Sequence, residues 1–238
     1  MEQTLSDKYR YWFLALTAIV VAFSFQGSRG LFESTEGRYA ECAREMLETG
    51  NWLVPQLDYQ PHWTKPPLTY WAIAAGMKLL GHNTWGVRLY IAIAFLLLTG
   101  AITVLGSILW NPRTGWLAGL IYATSPFTTG GAFSVNTDVL LSLWTILAIL
   151  SYWKALTTDK SIQGRWINLF WLFLGLGFLT KGPPALLILP VILIFQFYLR
   201  KTGRPVPSLW QWFSIGLFFI LGFGWYLWVV LRYPDLLS

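Results

Sequence analysis

The chain has 238 residues, a mass of 27.2 kDa and a net charge of +6, with 55% apolar and only 12% charged residues. A soluble domain carries roughly 25% charged residues, so this composition lacks the polar surface that a water-exposed fold needs. A mean hydropathy of +0.50 excludes disorder as well.

The remaining composition agrees with an all-α polytopic membrane protein. The 15 tryptophans suit many bilayer interfaces. The one cysteine, Cys42, has no partner for an internal disulfide, and no Cys/His spacing suits a metal.

Charge-free stretches locate the expected spans in chain order: 11–28, 89–112, 114–137, 139–153, 166–180, 182–199 and 205–231, seven in all. A crossing takes about 20 mainly apolar residues, with roughly 17 tolerated. The two shortest runs end in Lys154 and Arg165, whose long side chains snorkel. The first run follows Lys8 and Arg10 but has no small-x-small cleavage site, so it reads as a retained span rather than a signal peptide.

The segment Leu68–Leu80 is apolar but short for a crossing, and Lys78 lies within it. Parity places it in the interface. The inner loops then hold nine Lys/Arg against three acids, while the outer side balances at eight of each, so the whole +6 lies inside. That is the arrangement of the positive-inside rule. It puts the N-terminus in the cytoplasm and residues 29–80 outside, as an outer loop with interfacial helices, followed by six further spans within 89–231. It also accounts for the basic balance without nucleic acid, because the lysines and arginines anchor the chain to membrane lipids.

The outer loop holds six of the eleven acids. Within it, Tyr39, Ala40, Ala43, Met46 and Leu47 share one face of an expected helix, and Arg38, Glu41, Arg44, Glu45 and Glu48 share the other. Gly50 is placed to stop this helix, and Ser34 or Thr35 to cap it. The plain reading is a solvated amphipathic connector. Other charges nevertheless gather on the same side: Lys65 before two prolines, Asp138 at the mouth of one span and Lys181 at the end of another. Together with Glu36 and Arg38 they suit an anionic head group, although structural ion pairs would produce the same pattern.

The runs LFESTEGRYAE (31–41), REML (44–47), GNWLVP (50–55) and KPPL (65–68), with Thr137-Asp138 and LTKGP (179–183), resemble bacterial GT-C type membrane glycosyltransferases. These are relatives of the lipid A aminoarabinose transferase and of dolichyl-phosphate-mannose protein mannosyltransferases. The resemblance implies a GT-C fold whose N-terminal half this chain represents. The implied reaction moves a sugar from a polyprenyl-phosphate carrier to a lipid, glycan or protein acceptor, on the outer face of the cell inner membrane. No cofactor is assigned, and the resemblance leaves divalent metal open.

Such a transfer needs a carboxylate to take the acceptor's proton and cations to stabilise the departing phosphate. The acidic pair expected before Gly-Arg-Tyr is here Thr35-Glu36, and Thr64 stands where an acid precedes Lys-Pro. The expected proton acceptor is therefore Glu36, with Asp138 second, and Glu36→Gln is expected to abolish transfer while leaving stability nearly unchanged. The resemblance makes Lys65 the phosphate ligand, aided by Lys181 and Arg38, and pairs Arg38 with Asp138. His62 and His82 read as interfacial residues, with His62 beside Trp63 also placed to line a sugar pocket, and Trp52, Trp63 and Trp71 either stack on a sugar or anchor in head groups, the commoner use. The alternative is a non-catalytic membrane protein that binds or transports a lipid-linked sugar. The absence of an evident internal repeat and of midplane charges favours the enzyme.

Overall fold

The computed structural model describes residues 2–234, which are mainly helical. They divide into two compact units, one of residues 2–62 and 69–143, the other of 63–68 and 144–234.

In the first unit, α1 (Glu2–Phe23) is followed by a π-type turn (Glu33–Gly37) that runs into α2 (Arg38–Thr49). A two-residue hairpin, β1 (Gln56–Leu57) and β2 (Gln60–Pro61), leads towards α3 (Leu68–Leu80) and α4 (Thr84–Leu109). The hairpin turns through Asp58 and Tyr59, both left-handed at φ 54° and 58°. Then come α5 (Pro112–Thr124), α6 (Pro126–Ala132) and the start of α7 (Asp138–Thr157). The first unit is built around α1, α4 and α5.

The second unit holds the rest of α7, then α8 (Lys160–Lys181), a 3-10 turn (Pro183–Leu187) and α9 (Ile188–Lys201). It ends with α10 (Trp212–Phe218), a π-type turn (Phe219–Phe223) and α11 (Gly224–Arg232). Its core is aromatic: Phe178 stacks on Phe223 at 4.4 Å and meets Phe218 and Tyr226 edge-on. The extended stretch before α10 is tied down by side chains, with Trp171 Nε1 donating to Leu209 O at 3.0 Å and Gln196 Nε2 to Pro207 O at 2.9 Å.

Among the described residues, five segments are long and apolar enough to cross a membrane: 84–109, 138–157, 160–181, 183–201 and 212–232. The seven-span expectation is altered at two places. α1 ends at Phe23, so residues 24–28 of the first charge-free run leave the helix. The run 114–137 is broken at Ser125, which is extended (φ −66°, ψ 132°) because the following Pro126 disfavours helical backbone there. α3 matches the interfacial segment residue for residue, and at 13 residues it is too short to cross. It packs closely on the start of α4, since a Cβ on Gly76 would collide with the Gly86 carbonyl oxygen.

Two local expectations for the outer loop are corrected. α2 does stop at Gly50, whose φ of 69° suits glycine. At its start, the Ser34 side chain lies outside the described residues and Thr35 makes no cap; Glu36 reaches back and accepts the Phe32 N–H at 2.9 Å. Glu45, assigned to the solvated face, is fully buried and accepts the Tyr59 N–H at 2.9 Å. The exposed side of α2 is laced instead by Arg44, which pairs with Glu41 at 2.7 Å and Glu48 at 2.5 Å.

Candidate active site

Glu36 is a tightly held acid of the first unit. Its side chain is 0% exposed. Oε2 accepts from Arg29 Nη1 at 2.7 Å, the Phe32 amide at 2.9 Å and Arg88 Nη2 at 2.9 Å. Oε1 accepts from the Val135 amide at 2.7 Å, Arg88 Nε at 3.2 Å and Arg29 Nη2 at 3.3 Å. Burial pushes the carboxyl pKa up, but the hydrogen bonds from Arg88, Arg29, Phe32 and Val135 outweigh it and hold the group at about 2. A carboxylate held this way keeps its charge and is a weak proton acceptor.

Arg88 completes the arrangement. Besides its two bonds to Glu36, it donates to Gln26 O at 2.6 Å, Arg29 O at 3.2 Å and Gly30 O at 2.9 Å. A guanidinium has five N–H donors, and every one of them is used. Arg29 also donates to Phe133 O and lies 4.2 Å over the Phe32 ring. The two arginines thus tie the loop after α1 to the first turn of α4 and to the segment before α7.

Neither arginine was a sequence candidate. Arg88 did carry a signal, because an ionisable residue just inside a long apolar helix faces protein rather than lipid.

Asp138 opens α7 and is exposed. It lines a cavity of about 620 Å³ together with Tyr122, Phe127, Asn136 and Ser142. The Asn136 side chain sets its backbone, accepting the Asp138 N–H at 2.9 Å and the Val139 N–H at 3.1 Å. Arg38 and Asp138 both act on the Tyr39 phenol: burial raises its pKa, the Arg38 charge lowers it and the Asp138 charge raises it. Arg38 Nε is buried with no hydrogen-bond partner. Arg38 is also felt at His62, whose pKa is lowered first by burial and then by that charge.

The two lysines belong to the second unit. Lys65 lies between Trp63 and the buried Pro66-Pro67 pair that leads into α3. Trp63 packs against Trp225 at 6.4 Å and Tyr233 at 5.1 Å. Lys181 is the last residue of α8, where Gly182 (φ 79°) and Pro183 end the helix. A Cβ on Gly182 would come within 2.8 Å of Tyr226 Oη. Because the Trp225 and Tyr226 rings touch at 5.0 Å, the segments carrying the two lysines rest on one aromatic pair of α11.

Trp71 and Trp52 serve the loop itself, since Trp71 Nε1 donates to Trp52 O at 2.6 Å. Among the described residues no group of three or more His, Cys, Asp or Glu side chains is placed to hold a metal ion.

Residues 64–228 match the family model described as dolichyl-phosphate-mannose-protein mannosyltransferase. A Pectobacterium atrosepticum protein, named undecaprenyl phosphate-alpha-4-amino-4-deoxy-L-arabinose arabinosyl transferase, is 35% identical over 231 residues, which are 93% of this chain and 41% of that protein. A Pseudomonas savastanoi protein of the same name is 33% identical over 197 residues, 79% of this chain and 37% of its own length. The crystal structure of ArnT from Cupriavidus metallidurans bound to undecaprenyl phosphate superposes with a TM-score of 0.83 at 25% identity, covering 94% of this chain and 42% of that one. The chain therefore spans about two fifths of the length of these relatives.

Proposed function

Because the chain belongs to the dolichyl-phosphate-mannose-protein mannosyltransferase family, we propose that it serves the transfer of a sugar from a polyprenyl-phosphate carrier to a lipid, glycan or protein acceptor. The observation that carries this reading is the family match over 64–228, which spans Lys65, Asp138 and Lys181. The relative named for an undecaprenyl phosphate-linked donor, alike over 93% of this chain, supports a carrier of that class.

In this reading Lys65 and Lys181 hold the carrier phosphate and offset the charge it gains on leaving. The acceptor hydroxyl attacks the anomeric carbon, the bond from that carbon to the phosphate oxygen breaks, and the proton passes to a carboxylate with inversion. We assign that carboxylate to Asp138, which faces a cavity. Glu36, whose oxygens already accept six hydrogen bonds, is assigned to holding the loop. The charge split of the loops supports an outer-face site in the inner membrane, with the N-terminus in the cytoplasm.

The test is carrier recognition by the reconstituted chain. Undecaprenyl phosphate should raise its thermal midpoint and undecaprenol should not, because only the former carries the phosphate. Equal shifts from both would reduce the effect to tail binding and overturn the reading.

A further inference from the structure

We propose that Arg88 and Tyr90, both on α4, are positioning residues for Asp138, a role that rests on reading Asp138 as the proton acceptor. The side chain of Asp138 is exposed at the cavity, and the position of its Cα depends on how the backbone before α7 is held. That backbone is held from α4 at successive points. Arg88 grips Glu36, and Glu36 Oε1 takes the Val135 N–H at 2.7 Å. Tyr90 donates its hydroxyl to the Asn136 carbonyl at 2.7 Å.

Asn136 then passes the constraint on. Its Oδ1 takes the amides of Asp138 and Val139, and its Nδ2 donates to Gly131 O at 3.0 Å and Ser134 O at 2.6 Å. Val135 and Tyr90 are buried, and the Val135 N–H bond to Glu36 lies out of reach of water. A general base displaced by about 1 Å loses on the order of a hundredfold in rate. A turn fixed at 135 and 136 limits how far the backbone that carries this carboxylate can move.

Tyr90→Phe tests this without emptying the core, since it removes one hydroxyl and keeps the ring. Three quantities are read on membranes containing the full chain: thermal midpoint, amide hydrogen exchange over 135–139, and transfer kinetics with a polyprenyl-phosphate sugar. A folded variant with faster exchange over 135–139, kcat lowered about tenfold and an unchanged KM for the donor is the expected result. A merely structural role would lower the midpoint without this split between kcat and KM. Unchanged exchange, or faster exchange with kcat intact, overturns the positioning role. If the unaltered chain transfers no sugar, the catalytic reading of Asp138 falls by itself. Exchange over 135–139 then decides alone whether α4 holds this turn.

Discussion

Arg88 and Glu36 stand 52 positions apart in sequence and meet at 2.9 Å, with side chains only 1% and 0% exposed. Neither charge is left to water: Arg88 is satisfied by Glu36 and backbone carbonyls, and Glu36 by Arg88, Arg29 and two backbone amides. Breaking such a pair strands a buried charge, which costs roughly 3–5 kcal/mol. Arg88→Met should show this loss in denaturation measured in detergent, because the carbonyls of Gln26, Arg29 and Gly30 are orphaned as well. Glu36→Gln should also be destabilised, contrary to the sequence expectation of near-normal stability. A Glu36→Gln protein as stable as the parent would show that the lock contributes nothing.

The same pair sets a response to acid. Glu36 is held at about 2, below the ordinary glutamate value of 4.5. The folded state therefore binds this proton less readily than the unfolded chain. The stabilisation is complete above about pH 4.5 and disappears as pH falls towards 2. The thermal midpoint, followed through near-ultraviolet tryptophan dichroism, should be insensitive to this group at neutral pH and drop below that window. Glu36→Gln should flatten the acid limb. A limb of unchanged depth would assign it to the other carboxylates.

Local pattern made the helices legible and left the lock hidden. The short apolar run with Pro66-Pro67 before it and Gly81 after it marks out α3 in full, and Gly50 marks the end of α2. Both signals lie within a few residues of the boundary they set. Glu36 is different, because its partners at 29, 88 and 135 come from three separate segments that periodicity cannot bring together. Glu45 was misplaced for the same reason: its partner, the Tyr59 amide, comes from the hairpin turn and not from α2. Pro126 is the local signal for the break at Ser125, whereas the unbroken lack of charge over 114–137 carries no sign of it.

Carrier binding separates a phosphate site from general attraction to anionic lipid. Lys65 is half-buried beside two buried prolines, whereas Lys78 is exposed on α3. A charge-assisted bond to phosphate at a partly dehydrated interface is worth about 1.5–3 kcal/mol. Lys65→Ala should therefore weaken undecaprenyl phosphate binding by at least tenfold, and Lys78→Ala should change it little. Equal losses in titrations with vesicles of fixed composition would leave no specific site at Lys65.

Sidedness can be read with single cysteines, because the native thiol is silent. Cys42 is fully buried, and desolvation, followed by the charges of Glu45 and Glu41, pushes its pKa up to about 12. Reaction requires the thiolate, so an impermeant maleimide should leave Cys42 unmodified in the folded protein. Gln60 and Ser161 are both exposed, the first in the hairpin and the second at the start of α8, and neither change alters the charge of a loop. The excess of lysine and arginine around 154–165 and 200–204 assigns those segments to the cytoplasm. In intact spheroplasts Gln60→Cys should be labelled at once, and Ser161→Cys only after the membrane is opened. Labelling of Ser161→Cys in sealed spheroplasts would reverse the parity of the spans between them. It would also put Asp138 and Lys181 out of reach of a donor presented on the outer face.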